Sequence, residues 1–546
     1  MTRKRSTTHH PHGARPPAPR RPAPAWLTPA IVYGVPVLAA LFVHRGALGN
    51  YVSTDDLILF ERARGLAPFP ATLWRWLSGQ AYFRVLWPVF GVEPTGWHAL
   101  ALLLHALATA LVAAWARRLG AGRTVAVLAA LLFGTAARAR TVVGQVTGVG
   151  ECLAAIFTLL ALIRLAGGGR GARAEAPAWH AAALLSKENA ALAPLAALAG
   201  APAGEWRARL RDAALPLALS VALWAYVLLA RPATGSLGGE AYAFGFGRHV
   251  LDHLLTYTLW SADPVHLTGA IAVPPPLPWA AAALAVLAAL VLYAWHSGSR
   301  VARAGLVLWA ATLLPVLPLV NAVYEHYLYV PRAGFALALA AAVAHGAGPR
   351  RRAAYALAGF LAVVHALTAT LYLNTMRGYL IPELGLPRDG FLRKMEAVRN
   401  AASSVRGRFG AGPVRLVIFT PPGAAKLFDT RTGEQLDEAT GPRRRYSLLQ
   451  AVSDEGRGLR ALEPALADVR FSEHATAADT GAVLATNLGD GRLVFHGVAP
   501  AAWATMADGW EQNGYAAAAA GLRAEVAALD SAAAGLRSSP APAPAR

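Results

Sequence analysis

Apolar runs of near membrane-spanning length recur along this chain and constrain its fold more than any motif does. They occupy residues 27–44, 97–115, 124–137, 149–166, 213–230, 278–295, 304–320, 333–346 and 353–373. A helix needs about 20 apolar residues to cross the hydrocarbon, so 124–137 and 333–346 are short. With no water to satisfy the backbone inside a bilayer, such runs must be helical. Composition agrees. Of 546 residues, 55% are hydrophobic and 15% charged, against about 25% charged in ordinary soluble domains. A disordered chain is excluded, and a string of ordinary soluble domains is strongly disfavoured. The single cysteine, Cys152, rules out an internal disulfide and a cysteine metal cage.

Lys+Arg 51 against Asp+Glu 31 leaves a net charge of +20. In so apolar a chain this excess reads as loop charge that fixes membrane orientation, with the bilayer rather than nucleic acid as partner. Residues 1–25 carry six Lys/Arg, no acid and much proline, a disordered basic tail that leads into an uncleaved first span. With that tail in the cytoplasm, four clusters should share its side: Arg117/Arg118/Arg123, Arg164/Arg170/Arg173, Arg207/Arg209/Arg211 and Arg300/Arg303. Arg350/Arg351/Arg352 should join them. Only residues 177–201 separate Arg173 from Arg207, as two apolar pieces broken by Ser186-Lys187-Glu188-Asn189. That segment must enter and return as two short helices, its turn pointing outward. The expected fold class is mainly α: a polytopic membrane bundle of about eleven helices over 26–375. It is multi-pass, as in a bacterial inner membrane, with the N-terminus cytoplasmic.

Two long outer loops follow, 46–95 and 231–277, both rich in aromatics. LWRWL (73–77) suits an interfacial helix and HVLDHLLTYTLW (249–260) a surface helix. After about residue 376 the character changes. PVRLVIFT (413–420) and GRLVFHG (491–497) read as strands and GLRALEPALADV (458–469) as a helix. A small extracytoplasmic α/β domain is expected over 376–512, then an Ala/Pro-rich tail over 513–546 forming a loose helix with a frayed end. The domain carries no GxSxG or phosphate-loop motif, and acceptor binding or packing is its expected role.

The ionisable residues of the outer side are the candidates for chemistry. Asp55-Asp56 follows the first span; adjacent carboxylates can take a proton from a hydroxyl or hold a divalent cation, while Ser53-Thr54-Asp55 also reads as a helix cap. Arg84 lies in AYFRVLWPVFG; His98 and His105, seven residues apart, share one helix face. His98 is placed to face a cavity and His105 to pack. Lys187 and Glu188 sit in the turn between two apolar pieces, either capping them or serving function. NAVYEHYLYVPRAG (321–334) gathers Glu325, His326, Tyr327, Tyr329 and Arg332, where an interfacial tyrosine belt explains the tyrosines better than the charges.

The order Asp55-Asp56, FRV and GWHALALLLHAL, FGTAARARTVVGQVTGVGECLA, LLSKENAALAPL and YEHYLYVPRAGF resembles the GT-C superfamily of polytopic glycosyltransferases. It is most similar to the protein O-mannosyltransferase-like branch, which includes the transmembrane and tetratricopeptide-repeat mannosyltransferases. The resemblance covers about 46–335. Lys187-Glu188 and the Tyr-Leu-Tyr-x-Pro string are its most specific parts. No tetratricopeptide repeat follows. The branch's Tyr-Arg-Pro is Phe83-Arg84-Val85 here, its His-Pro pair falls on Ala136-Ala137, the next acid on Thr141, and the Arg before Tyr-Leu-Tyr on His326; an acid opening the fourth span is kept as Glu151.

The resemblance implies transfer of a sugar from a polyprenyl-phosphate carrier to an extracytoplasmic acceptor, a protein hydroxyl, lipid or glycan. Asp55 or Asp56 would take the hydroxyl proton. Arg84, Lys187 and Arg332 would stabilise the departing phosphate, with His98, Glu188, Glu325 and His326 lining the substrate site. The resemblance fixes no cofactor, and a divalent cation could sit on the aspartate pair. Two alternatives stay open. A catalytically inactive relative could act as a membrane scaffold, which the missing His-Pro and acid favour. A transporter or lipid translocase is the other, against which stands the lack of an inverted repeat.

Overall fold

The computed structural model describes residues 27–234, 243–263, 266, 275–320, 322–345, 350–381, 385–410, 413–421, 427–428, 435–436, 451–452, 456–487 and 489–538. The basic tail and the last residues of the C-terminal tail lie outside them.

The first apolar run is one helical stretch whose regular part is α1 (Val35–His44). Helices α2 (Asp55–Ala63) and α3 (Tyr82–Phe90) build the loop that follows. The bundle continues with α4 (Pro94–Arg118), α5 (Arg123–Gly134), α6 (Arg140–Val143), α7 (Val149–Gly167) and α8 (Gly169–Ser186). Next come α9 (Leu195–Ala199), α10 (Trp206–Thr234), α11 (Arg248–Ala262) and α12 (Leu277–His296). It closes with α13 (Arg300–Leu313), α14 (Tyr329–Val343) and α15 (Arg350–Gly378). Six helical stretches among the described residues are long and apolar enough to cross a membrane, and α5 with the segment Ala137–Val143, bent by 49°, makes a seventh. The chain is a mostly helical, multi-pass membrane protein.

The arginine clusters meet at one end. Arg118 packs against Gly167 and Arg300 against Gly120, and Arg209 donates to the Leu165 carbonyl at 2.9 Å. The Ser-Lys-Glu turn lies at the opposite end, where Ser78 Oγ donates to the Ser186 carbonyl at 2.7 Å.

Four expectations need correction. Residues 177–201 are not two short helices: α8 runs unbroken to Ser186, and the return is a short turn over Glu188–Ala190 followed by five-residue α9. Pro194 removes an N–H donor and prevents a continuous helix. Ala190, Ala191, Ala193 and Ala196 are buried in protein, which is what allows irregular backbone at that depth. The 304–320 run is helical only to Leu313, because Pro315 and Pro318 follow. In 458–469 only α17 (Gly458–Leu462) is helical; Pro464 interrupts, and the rest enters a strand. LWRWL likewise starts as a turn, with Arg75 at φ +52°, and becomes helical from Trp76.

Helices α13 and α14 cross at Gly305 and Gly334, where a Cβ on either would overlap the other's carbonyl oxygen. Small residues permit such close backbone approach between membrane helices.

Beyond the bundle, α16 (Gly390–Arg408) leads into a four-stranded sheet. Its strands are β1 (Val414–Phe419), β2 (Leu466–Ser472), β3 (Val483–Asn487) and β4 (Leu493–Val498), in the order β2-β1-β3-β4. The first three are parallel and β4 is antiparallel to β3. Alternation of side chains along β1 divides two cores. Leu416 and Ile418 join a cluster with Val398 and Ala401 of α16 and with Leu57, Phe60 and Trp97 at the bundle end. Val417 and Phe419 face α18 (Ala502–Gln512) through Trp503 and Met506, beneath α19 (Ala516–Ser538). The shared first cluster fixes this α/β domain to the end of the bundle away from the arginine clusters.

Candidate active site

Asp55 and Asp56 open α2, and neighbours on a helix point about 100° apart. Thr54, at φ +53°, makes no side-chain cap hydrogen bond, so the expected hydroxyl cap is absent. Instead Asp56 Oδ2 accepts from the Ser53 N–H at 3.3 Å, and Oδ1 accepts from the Thr147 N–H at 2.8 Å and hydroxyl at 2.9 Å. Asp56 is fully buried, and burial pushes its carboxyl up to about 7 against the pull of those three bonds. Asp55 is exposed, with Lys394 of α16 within its electrostatic reach.

Thr147 stands one turn before Glu151, the acid opening α7. Glu151 Oε1 pairs with Lys187 Nζ at 3.0 Å, and its Oε2 accepts from Asn189 Nδ2 at 3.2 Å. Lys187 lies 5.9 Å from the centre of the Tyr327 ring. Glu188 receives a two-point grip from Arg75, one bond being Nε to Oε2 at 2.9 Å, and a bond from Trp74 Nε1 at 3.1 Å. Burial alone would raise the Glu188 carboxyl, but the Arg75 guanidinium outweighs it and holds it down to about 2. Lys187 and Glu188 thus sit together, each already matched by an opposite charge.

The YEHYLYVPRAG segment adds a second charged group. Glu325 pairs with Arg138 at 2.7 Å and Arg140 at 3.2 Å, and Arg140 continues to Asp389 at 2.6 Å. Asp389 caps α16 through the Leu392 N–H at 3.0 Å, so this chain of charges ties the broken α5–α6 pass to the outer domain. His326 stacks on Tyr324 at 5.3 Å; burial, then Lys187 and Arg75, push its pKa well below the ordinary value and keep it neutral. Tyr329 binds His105 Nδ1 through its hydroxyl at 2.7 Å. Arg332 is buried and donates to the Trp260 carbonyl at 3.1 Å, leaving Nε without a hydrogen-bond partner. It lines two small cavities, of about 220 and 260 Å³, open space included.

Two candidates stand apart. Arg84 is exposed, with its guanidinium 4.6 Å from the Phe69 ring centre; the arginine that meets the Lys-Glu turn is Arg75. His98 is buried in α4 against the Tyr51 carbonyl at 3.2 Å. Among the described residues no group of three or more His, Cys, Asp or Glu gathers as a metal site. Four residues of this cluster, Arg75, Arg138, Arg140 and Thr147, are not among the candidates that the sequence offers. The Ala-Arg-Ala-Arg string at 137–140 was the available signal, two cations in the break of an apolar pass. They occupy the stretch in which Ala136, Ala137 and Thr141 replace the motif residues of the resembled branch.

No known family profile and no curated protein matches the sequence. Among solved structures the chain is similar to ArnT from Cupriavidus metallidurans bound to undecaprenyl phosphate. Identity is 13% and the TM-score 0.44, covering 85% of this chain and 93% of that chain.

Proposed function

We propose that this protein is a GT-C-like membrane glycosyltransferase that moves a sugar from a polyprenyl-phosphate carrier to an acceptor hydroxyl on the side away from its arginine clusters. One observation carries the proposal. Residues of the motif resemblance that are far apart in sequence share one end of the bundle, with Asp56 joined through Thr147 to the start of α7, whose Glu151 pairs with Lys187 from the turn after α8.

A general base must touch the proton that it removes. Asp56 is enclosed and its oxygens accept three bonds; Asp55 is exposed. Asp55 is therefore the base in this mechanism, and Asp56 positions it by anchoring α2 to α7. The acceptor proton passes to Asp55, the acceptor oxygen bonds to the anomeric carbon, and the bond from that carbon to the phosphate oxygen breaks. The departing phosphate needs a cation, and Arg332, with an unpartnered Nε beside a cavity, is that cation. The arginine-rich end is cytoplasmic by the excess of positive charge.

A second reading is an inactive scaffold of the same fold. It is favoured by Lys187 and Arg75, whose charges are already taken up by Glu151 and Glu188. Incubating membranes with labelled polyprenyl-phosphate sugars, mannose and other hexoses in turn, separates the two. Wild type transfers label, Asp55→Asn loses about 100-fold or more, and Asp56→Asn loses less. Equal activity in all three removes the base assignment, and no transfer from any donor favours the scaffold. Sidedness is read from cysteine labelling in sealed vesicles. Cys152 is buried, so Arg170→Cys and Ser531→Cys report from opposite faces.

A further inference from the structure

A further cleft borders the site above and shares Arg140 with it. It encloses about 580 Å³, open solvent included, between the outer ends of α1 and α15, the α6 turn and the start of α16. Arg45, Arg140 and Arg377 line it with Asn50, Asn374 and His44, and no acidic residue lines it.

The three arginines differ. Arg140 is neutralised by Glu325 and Asp389. Arg45 and Arg377 form no ion pair with a carboxylate of the described residues. Arg45 donates to the Phe42 carbonyl at 2.6 Å, and Arg377 donates to Asn50 Oδ1, also at 2.6 Å. A guanidinium carries five N–H donors, so each keeps donors for a further acceptor. The acids whose fields reach Arg377 are Glu396, itself paired with Arg399 at 3.0 Å, and Asp389, held by Arg140. A deficit of negative charge thus remains at the cleft.

What leads into the cleft points to the ligand. Below Arg45, α1 and the turn before it expose Ile31, Val35, Leu38 and Phe42; below Arg377, α15 exposes Leu357, Phe360, Val363, Leu367 and Leu371. Each set follows the three-to-four-residue spacing of one helix face. The two helices touch through Val43 and Ala369. The Arg45 guanidinium stands 4.0 Å from the Phe42 ring centre, at the top of the first stripe. Two apolar tracks therefore end at two uncompensated arginines at the rim of the membrane.

The geometry points to a binding site for the phosphate group of a membrane lipid. Arg45 and Arg377 grip the phosphate oxygens, since guanidinium donors match phosphate in planar, two-point fashion, and the acyl or prenyl chain lies along the stripes of α1 and α15. The inference is independent of the transfer reading, because it uses neither Asp55 nor the Lys187 and Arg332 groups.

The test is thermal unfolding of the full-length protein in neutral detergent, titrated with phosphatidic acid, a polyprenyl phosphate, phosphatidylcholine and inorganic phosphate. Phosphatidic acid, polyprenyl phosphate or both raise the melting temperature in a saturable way, and which of them does so identifies the lipid. Phosphatidylcholine, whose quaternary amine offsets its phosphate, gives no shift. Arg45→Gln, at an exposed side chain, weakens the effect about tenfold, the scale of one charge-assisted hydrogen bond, and Arg45→Gln/Arg377→Gln abolishes it. Arg207→Gln, equally exposed and beside the Trp206 ring at the opposite end of the bundle, leaves it intact. No shift with either phosphate lipid, or an undiminished shift in the double variant, overturns the site. A shift with inorganic phosphate alone overturns the assignment to a lipid.

Discussion

The two ends of the bundle handle charge in opposite ways. At the arginine-rich end most cations bond to carbonyls or to acids close by in sequence, Arg117 to the Ala121 carbonyl at 2.5 Å, Arg164 to Glu175 at 2.7 Å and Arg209 to Glu205 at 2.9 Å, with Arg173 reaching the more distant Asp212 at 3.6 Å as the exception. Most are exposed and take their solvation from water. At the other end Glu188 meets Arg75, Glu325 meets Arg138 and Arg140, and Asp389 meets Arg140. Those partners lie far apart in the chain and are largely buried. A charge at the first end is interchangeable with another cation, whereas one at the second end is committed to a specific partner, because removing that partner leaves an uncompensated charge in a poorly solvated place.

This contrast can be broken most directly at Glu325. Glu325→Ala leaves Arg138 and Arg140 facing each other and should destabilise the detergent-solubilised protein by about 3–5 kcal/mol, read as a fall in melting temperature. A change as small as that of a surface variant would show that the charge chain is not structural.

Asp56 sharpens the comparison through pH. Its carboxyl is raised from 3.8 to about 7, so the folded protein holds a proton that the unfolded chain has released across that window. Its contribution to stability is complete below about pH 4 and is lost as pH rises through 7. Asp56→Asn, which stays neutral, should flatten this dependence and be the more stable protein at pH 8, by up to about 4 kcal/mol for three pKa units. A variant with the wild-type pH slope would refute the burial effect.

Gly334→Ala comes next. It forces the α13–α14 crossing apart, with an expected loss of about 1–3 kcal/mol that Ala333→Gly should not reproduce in kind. The smallest effect belongs to the arginine-rich end, where Arg164→Gln should change the melting temperature by no more than about 0.5 kcal/mol is worth. A large loss there would erase the distinction between the two ends.

Much of the bundle was legible because its signals are local. Apolar length marks α4, α7, α12 and α15, and the arginine clusters place their ends together. Prolines explain where local reading went wrong. Pro194, Pro315 and Pro464 each end an apolar pattern that otherwise looks helical, and only the surroundings decide whether the chain then becomes an irregular return, a loop or a strand. At the candidate site the sequence supplied Asp55-Asp56, Lys187-Glu188 and Glu325. It did not reveal that Arg75 rather than Arg84 meets the Lys-Glu turn, since both are single arginines in aromatic surroundings.

By itself, then, the sequence determined that this chain is a membrane bundle with clusters of loop arginines at one end, because hydrophobic transfer and loop charge act residue by residue along the chain. Only the tertiary structure decided which aspartate is enclosed, which arginine answers which glutamate, and that two uncompensated arginines from the first and last passes share a cleft. Those outcomes depend on burial and on distances of a few ångströms between residues remote in sequence, where the strength of a charge interaction is set by its surroundings.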